Sequence, residues 1–394
     1  MSETKKRIPE LDGLRVLMIF IVSWYHIWQQ SWLRPFIGNY SLDYLVRSGY
    51  VWVDGTVLLS SFLLFLPYAK AMREHLPAPD TRDFYFRRIR RILPGYYFII
   101  LAVLLGIAVP WKLYESAQFL VKDVATHLTF TFPFFRDTYL FTPLGAASWT
   151  LAIEVQAYAL FPLIARGVMK KPALTLGVMC AVCFGFRAWC IWALTDYSMV
   201  VNQLVNFLDV YVIGILAAMV YLRLGSFSGT EAYARKKYLW QAAATAVFIA
   251  AFIGLLRLLR FQASSGEYAL IQRRQMIYRP AFAGLFTALV LSSPFALLPL
   301  RRLLGNPVTK FLGGISMNYY LIHQTVIVHM KRLHFPPSVS DTPNVDGEQP
   351  WQMQYTLAAF GISLVLAILV TYLIEKPAAR LLNKLRERKQ QSNS

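Results

Sequence analysis

Residues 11–28 read LDGLRVLMIFIVSWYHIW, an apolar run with an arginine near its start and a histidine near its far end. Arg15 and His26 are eleven residues apart in this run. At about 100° per residue that is close to three full helical turns, so a helix carries both side chains on one face. At ~1.5 Å per residue they are separated by roughly 16 Å along its axis. A stretch of this length and apolarity spans a bilayer, with Arg15 at one surface and His26 submerged. An ionisable side chain inside hydrocarbon is costly, and such residues commonly carry function.

The whole chain fits that solvent. Of its 394 residues, 56% are hydrophobic and only 15% charged, with 22 Tyr, 27 Phe and 10 Trp. A soluble domain carries about a quarter charged residues, so this composition excludes a chain of ordinary soluble domains. The net charge of +19 is read as positive-inside topology and contact with anionic headgroups, with no nucleic-acid partner. Cys180, Cys183 and Cys190 fall in one apolar run at helical spacing. They are read as packing residues, and neither a disulfide nor a metal site is expected. The basic N-terminus, MSETKKRIPE, is followed by Trp24, Tyr25, Trp28 and Trp32 where a signal peptide would place small residues. The first span is therefore expected to stay uncleaved.

The expected fold is an all-α, polytopic integral membrane protein with about ten transmembrane helices. The spans lie near residues 11–32, 51–69, 93–109, 148–165, 173–194, 204–222, 239–259, 279–299, 311–330 and 353–374. Residues 1–380 form one membrane-embedded domain and 381–394 a basic cytoplasmic tail. With the N-terminus inside, the inner segments hold about twice as many Lys and Arg as the outer ones, which puts both termini in the cytoplasm. The exception is the stretch holding Arg257, Arg260, Arg273, Arg274 and Arg279. Either the local topology there is different or these arginines face something acidic outside. In the long outer segment, residues 115–128 put Phe119, Leu120, Val124 and Leu128 on one face, as expected of an amphipathic helix at the outer surface.

Depth along the spans brings several polar residues to one level. His26 lies roughly 20 Å up a ~30 Å core, His323 roughly 18 Å up, and Glu154 roughly 9 Å below the outer start of its span. Asp209, Asp54 and Arg187 fall in the same outer half. Each alone has an ordinary explanation. A buried histidine can be a hydrogen-bonded packing residue, Asp209 can neutralise Arg187, and Asp54 can be solvated. Glu154 has no cation within one turn of its own helix. Together the six point to a polar pocket open to the outside.

At the inner surface, FRRIRRILP places Arg87, Arg88, Arg90 and Arg91 just ahead of the third span. Arginines three apart share a helix face and present several donors to a polyphosphate, although a lipid anchor uses the same residues. A ligand with phosphates near Arg15 and a reactive end near His26 would be long. The ~16 Å between them suits the pantetheine arm of coenzyme A. A histidine base, a hydroxyl acceptor and a carboxylate suffice for acyl transfer to oxygen from a thioester, with no metal.

Six segments in order resemble the membrane acyltransferase-3 family. They are the arginine–ten residues–histidine motif of Arg15 and His26, then VDGTVLLSSFLLF (53–65), and FRRIRRILPGYY (86–97), where Arg88 and Arg91 fit an arginine-x-x-arginine pair. They continue with SWTLAIEVQAYALFPL (148–163), SMNYYLIHQTVIV (316–328) and YLIEKPAARL (372–381). The resemblance implies a multi-pass enzyme that takes an acyl group, commonly acetyl, from cytoplasmic acyl-CoA to an acceptor, often a glycan, at the outer face. Its residues carry over as catalytic His26 and Glu154, donor-binding Arg15, Arg88 and Arg91, and active-site Trp149. To these the arginine cluster adds Arg87, and the depth estimate adds His323 and Asp54 to the acceptor pocket. A bacterial plasma membrane is the expected location. One departure stands in the second helix, where the family's Ser-Gly reads Ser60-Ser61. The resemblance also includes no C-terminal hydrolase-like domain of the kind some relatives carry, so the acceptor is expected to be presented by other means. The alternative of a different class is a transporter or flippase using the polar slab as its path, which inverted repeats with broken helices would favour.

Overall fold

The structure is a computed structural model that describes residues 7–391. Lys5 and Lys6 of the charge count and the last three residues of the expected tail lie outside the described residues. Twelve helices carry the architecture: α1 (Glu10–Ser31), α2 (Trp52–Arg73), α3 (Thr81–Val103), α4 (Ala117–Leu128), α5 (Trp149–Lys170), α6 (Pro172–Ala193), α7 (Leu208–Ser228), α8 (Lys237–Ala263), α9 (Tyr268–Ser292), α10 (Pro307–Arg332), α11 (Gln349–Val370) and α12 (Lys376–Gln391). The only sheet among the described residues is a two-stranded hairpin, Phe36–Ile37 with Tyr40–Ser41.

Nine helical segments among the described residues are long and apolar enough to cross a membrane. Each of the ten expected spans falls on a long helix. The ninth, 311–330, is the one not among the nine. It lies on α10, which has ample length but is diluted by Asn318, His323, Gln324 and His329. Two expectations of boundary change. The arginine cluster and the third span share one continuous helix, because α3 starts at Thr81, capped by Asp80, whose carboxylate accepts from the Asp83 amide at 2.7 Å. A Ser, Thr, Asp or Asn cap of this kind satisfies an otherwise orphaned N–H. The eighth span starts at Tyr268, so Arg279 lies in the helix interior instead of at its mouth. Hydropathy hid this start because Gln272, Arg273, Arg274 and Gln275 occupy the first turns.

The chain divides into two compact units, 1–25 with 36–79 and 163–314, and 26–35 with 80–162 and 315–394. The first unit is held by buried ion pairs. Arg187 of α6 forks onto Asp209 of α7, with Nη1 to Oδ2 at 2.8 Å and Nη2 to Oδ1 at 2.7 Å. Its Nε donates to the Asn206 side chain at 2.9 Å. Arg279, with no exposed surface, donates from Nε to Asp54 Oδ1 at 3.2 Å and from Nη1 to the Asn206 carbonyl at 3.0 Å. Its guanidinium lies 3.9 Å over the Phe207 ring. Arg279 is thus neutralised internally and is not one of a set of outward-facing arginines. Ser61, the departure noted above, donates to the Tyr211 carbonyl at 2.8 Å and faces Gly214, where an added Cβ would come within 2.7 Å of the serine Cβ. A serine here closes α2 onto α7 through a glycine on the other helix.

In the second unit, Phe84 of α3 stacks on Phe161 of α5 with centroids 5.9 Å apart. Gly95 of α3 lets Asn318 of α10 approach; an added Cβ would meet Asn318 Oδ1 at 2.5 Å. Asn318 Nδ2 in turn donates to Thr371 Oγ1 at 2.8 Å and Glu375 Oε2 at 2.6 Å. α4 forms where its apolar pattern predicted, but the face it buries is different. Asp123 and His127 have no exposed surface, whereas Val121 and Leu128 are exposed. Tyr114 and Thr142 each donate to Asp123 Oδ2 at 2.8 Å, and His127 stacks on Phe132 at 4.1 Å. Asp123 and His127, satisfied by specific partners, take the interior, while of the apolar face Phe119, Leu120 and Val124 are half-buried and Leu128 is exposed.

Candidate active site

His26 sits in the last two turns of α1, half-buried, within the second unit. Its Nδ1 lies 3.0 Å from Gln29 Oε1. Three residues separate them, so the same helix face carries both. An amide oxygen accepts only, so this bond puts the proton on Nδ1 and the basic lone pair on Nε2. His323 is the neighbour. Its ring centroid is 5.2 Å from that of His26, at an interplanar angle of 43°. His323 has no exposed surface, and its Nδ1 lies 2.6 Å from the Tyr320 carbonyl. That carbonyl also accepts only, so His323 too keeps its lone pair on Nε2, an atom that is buried and has no hydrogen-bond partner among the described residues. The pair presents two imidazoles oriented by neighbours in their own helices.

Glu154 enters a different set of contacts. Tyr158, one turn along α5, donates its hydroxyl to Glu154 Oε2 at 2.9 Å. The Arg88 guanidinium of α3 lies 5.5 Å from the Tyr158 ring centroid and interacts electrostatically with the Glu154 carboxylate. The cation missing from Glu154's own sequence neighbourhood therefore comes from another helix. Trp149 is the first residue of α5, following a tight turn in which Gly145 takes φ +105° and Ser148 Oγ donates to the Gly145 carbonyl at 2.7 Å. A positive φ of that size is open to glycine and strained for other residues.

Arg87, Arg88, Arg90 and Arg91 line one cavity of about 580 Å³ at the N-terminal half of α3. Arg87 pairs with Asp83, one turn back. Three of the four expected donor arginines, Arg87, Arg88 and Arg91, are thus brought together, and Arg88 lies within electrostatic reach of Glu154. Arg15 and Asp54 belong to the first unit. Arg15 pairs loosely with Asp12 at 4.0 Å, and Asp54 is fully buried against Arg279. Several polar groups, some of them outside the site, escaped the sequence reading. Gln29 and Tyr158 stand at helical spacing from His26 and Glu154 and were legible on that ground. The Asp123–His127 pair was masked by the apolar face of its helix, and the part played by α12 in the arginine cavity by its tail-like charge.

Residues 8–376 match the acyltransferase-3 family model, described as an acyltransferase domain. The chain is 28% identical over 197 residues to the putative peptidoglycan O-acetyltransferase YrhL of Bacillus subtilis, covering 46% of this chain and 28% of that protein. It is 23% identical over 342 residues to the peptidoglycan O-acetyltransferase OatA of Listeria monocytogenes, covering 82% and 50%. It is 25% identical over 409 residues to the acyltransferase MdmB of Streptomyces mycarofaciens, covering 96% and 94%. The chain spans half or less of the length of the first two relatives. No solved structure matches it.

Proposed function

The chain belongs to the acyltransferase-3 family, and on that footing we propose that it transfers an acyl group, acetyl in the simplest case, from cytoplasmic acyl-CoA to a hydroxyl of a cell-envelope glycan. The observation that carries this reading is the His26–His323 pair, with both ring orientations fixed so that Nε2 is the basic atom. His26 Nε2 takes the proton of the acceptor hydroxyl as its oxygen bonds to the thioester carbonyl carbon. The C–S bond then breaks, and the departing thiolate takes the proton back from His26, leaving an ester and free coenzyme A thiol. His323, wholly enclosed, positions His26 and is the nearest base to relay its proton.

Arg88 and Arg91, with Arg87 beside them, hold the donor's phosphates. Glu154 and Tyr158 keep Arg88 oriented, and Trp149 flanks the acceptor. Arg15 is assigned to the donor because it carries the family's motif arginine. The buried bond of Asp54 to Arg279 supports a structural part for it in place of acceptor contact. The acceptor class rests on the relatives named as peptidoglycan O-acetyltransferases, and the cytoplasmic placement of both termini rests on charge distribution. A bacterial plasma membrane is the corresponding location.

The test is thiol release from acetyl-CoA by the purified chain in the presence of cell-wall glycan. Wild-type protein is expected to release coenzyme A and label the glycan. A His26→Ala protein that turns over like wild type would refute the catalytic assignment.

A further inference from the structure

We infer that the C-terminal helix is the second wall of a polyphosphate site, in which Lys376 and Arg380 of α12 act together with the arginines of α3. Lys376 and Arg380 are four residues apart, hence on one face of α12. They line the same cavity of about 580 Å³ as Arg87, Arg88, Arg90 and Arg91. The only carboxylate in that lining is Glu375, and its Oε2 already accepts from Asn318 at 2.6 Å.

The two helices are fastened to each other beside this charge. Arg90 Nη1 donates to Asn383 Oδ1 at 2.5 Å, and Arg386 Nη1 donates to Asp83 Oδ1 at 2.8 Å. The fold thus sets six cations around one cavity; Asp83 pairs with Arg87 and Glu154 acts on Arg88, and the positive charge that remains in excess favours a bound anion. A lipid anchor needs no cavity and uses one phosphate. Six cations on two walls match a ligand with several phosphates, which coenzyme A carries as a diphosphate and a ribose monophosphate. The inference rests on acyl-CoA being the donor, and it makes residues 376–380, at the end of the membrane-embedded domain, part of the donor site.

Binding of coenzyme A and of pantetheine, which lacks the phosphates, is measured with the full chain in neutral phosphatidylcholine nanodiscs. The double variant Lys376→Gln/Arg380→Gln is expected to bind coenzyme A about tenfold or more weakly, while pantetheine binding stays unchanged. Loss of both would mark structural damage and overturn the assignment. Lys384→Gln, an exposed cation on the same helix that does not line the cavity, is expected to bind coenzyme A as wild type does. Wild-type coenzyme A affinity in the double variant would refute the inference and leave the donor reading standing. No binding of coenzyme A by the wild-type protein would refute the donor reading, and the inference with it. Displacement of coenzyme A by phosphatidylglycerol at equal concentration would show a lipid-headgroup site and also overturn the inference.

Discussion

His26 was conspicuous in the sequence because it is a titratable group in an apolar helix, and its neighbour His323 was found at matching depth. The sequence could not show which nitrogen of either ring is basic. That depends on Gln29 Oε1 and the Tyr320 carbonyl, which are local geometry. The consequence is measurable. Gln29→Leu removes the acceptor that fixes the His26 tautomer, and kcat is expected to fall about tenfold to a hundredfold with KM for acyl-CoA unchanged. An unchanged kcat would mean that Gln29 does not orient the ring. Glu154 was legible as a carboxylate with no cation within one turn of its own helix. Its partners are Tyr158 and, across from α3, Arg88. Tyr158→Phe is therefore expected to raise KM for acyl-CoA severalfold with a smaller effect on kcat, because it loosens Arg88 and not the base.

At the scale of elements, apolar length located the nine segments among the described residues that are long and apolar enough to cross a bilayer, and a tenth expected span on α10 that is long but too polar to count among them. It failed where polar residues are neutralised inside. The start of α9 was lost because its first turns are polar, and Arg279 read as external because its partner Asp54 is 225 residues away in sequence. Removing one partner of a buried pair leaves the other charge unpaired, so Arg279→Met is expected to cost about 3–5 kcal/mol of stability. Asp54→Leu combined with Arg279→Met should recover most of that loss. Thermal unfolding in detergent checks both, and a single variant as stable as wild type would deny the pair its structural role. Packing is as tight at Gly13 of α1. A Cβ there would lie 2.3 Å from the Leu304 carbonyl oxygen, a backbone atom that cannot swing away. Gly13→Ala is expected to destabilise by about 1–3 kcal/mol, visible in the same unfolding experiment.

For the whole molecule, composition and charge distribution specified a polytopic membrane protein, and six ordered motifs specified its family. The expected boundary between domain and tail at residue 380 falls inside one continuous helix, α12. α12 is fastened to α3 by Asn383 and Arg386, and it lines the arginine cavity through Lys376 and Arg380. Its charge pattern resembles an ordinary solvated tail, and only tertiary contacts reveal its wall-forming face. The inner placement of both termini is checked by single cysteines at Lys389 and at Phe141 in the long segment between α3 and α5. The expected result is labelling of Phe141→Cys from outside intact cells and of Lys389→Cys only after permeabilisation. Labelling of both from outside would reverse the topology on which the donor side depends.

The central claim is acyl transfer at His26. The most direct measurement gives the purified chain, in nanodiscs, acetyl-CoA labelled in the acetyl group together with cell-wall glycan, and counts label in the glycan alongside free thiol. Wild-type protein is predicted to release one thiol for each acetyl ester formed, and His26→Ala to give at least a hundredfold less of both. Equal label transfer by His26→Ala, or glycan acetylation without thiol release by the wild-type protein, would contradict the account.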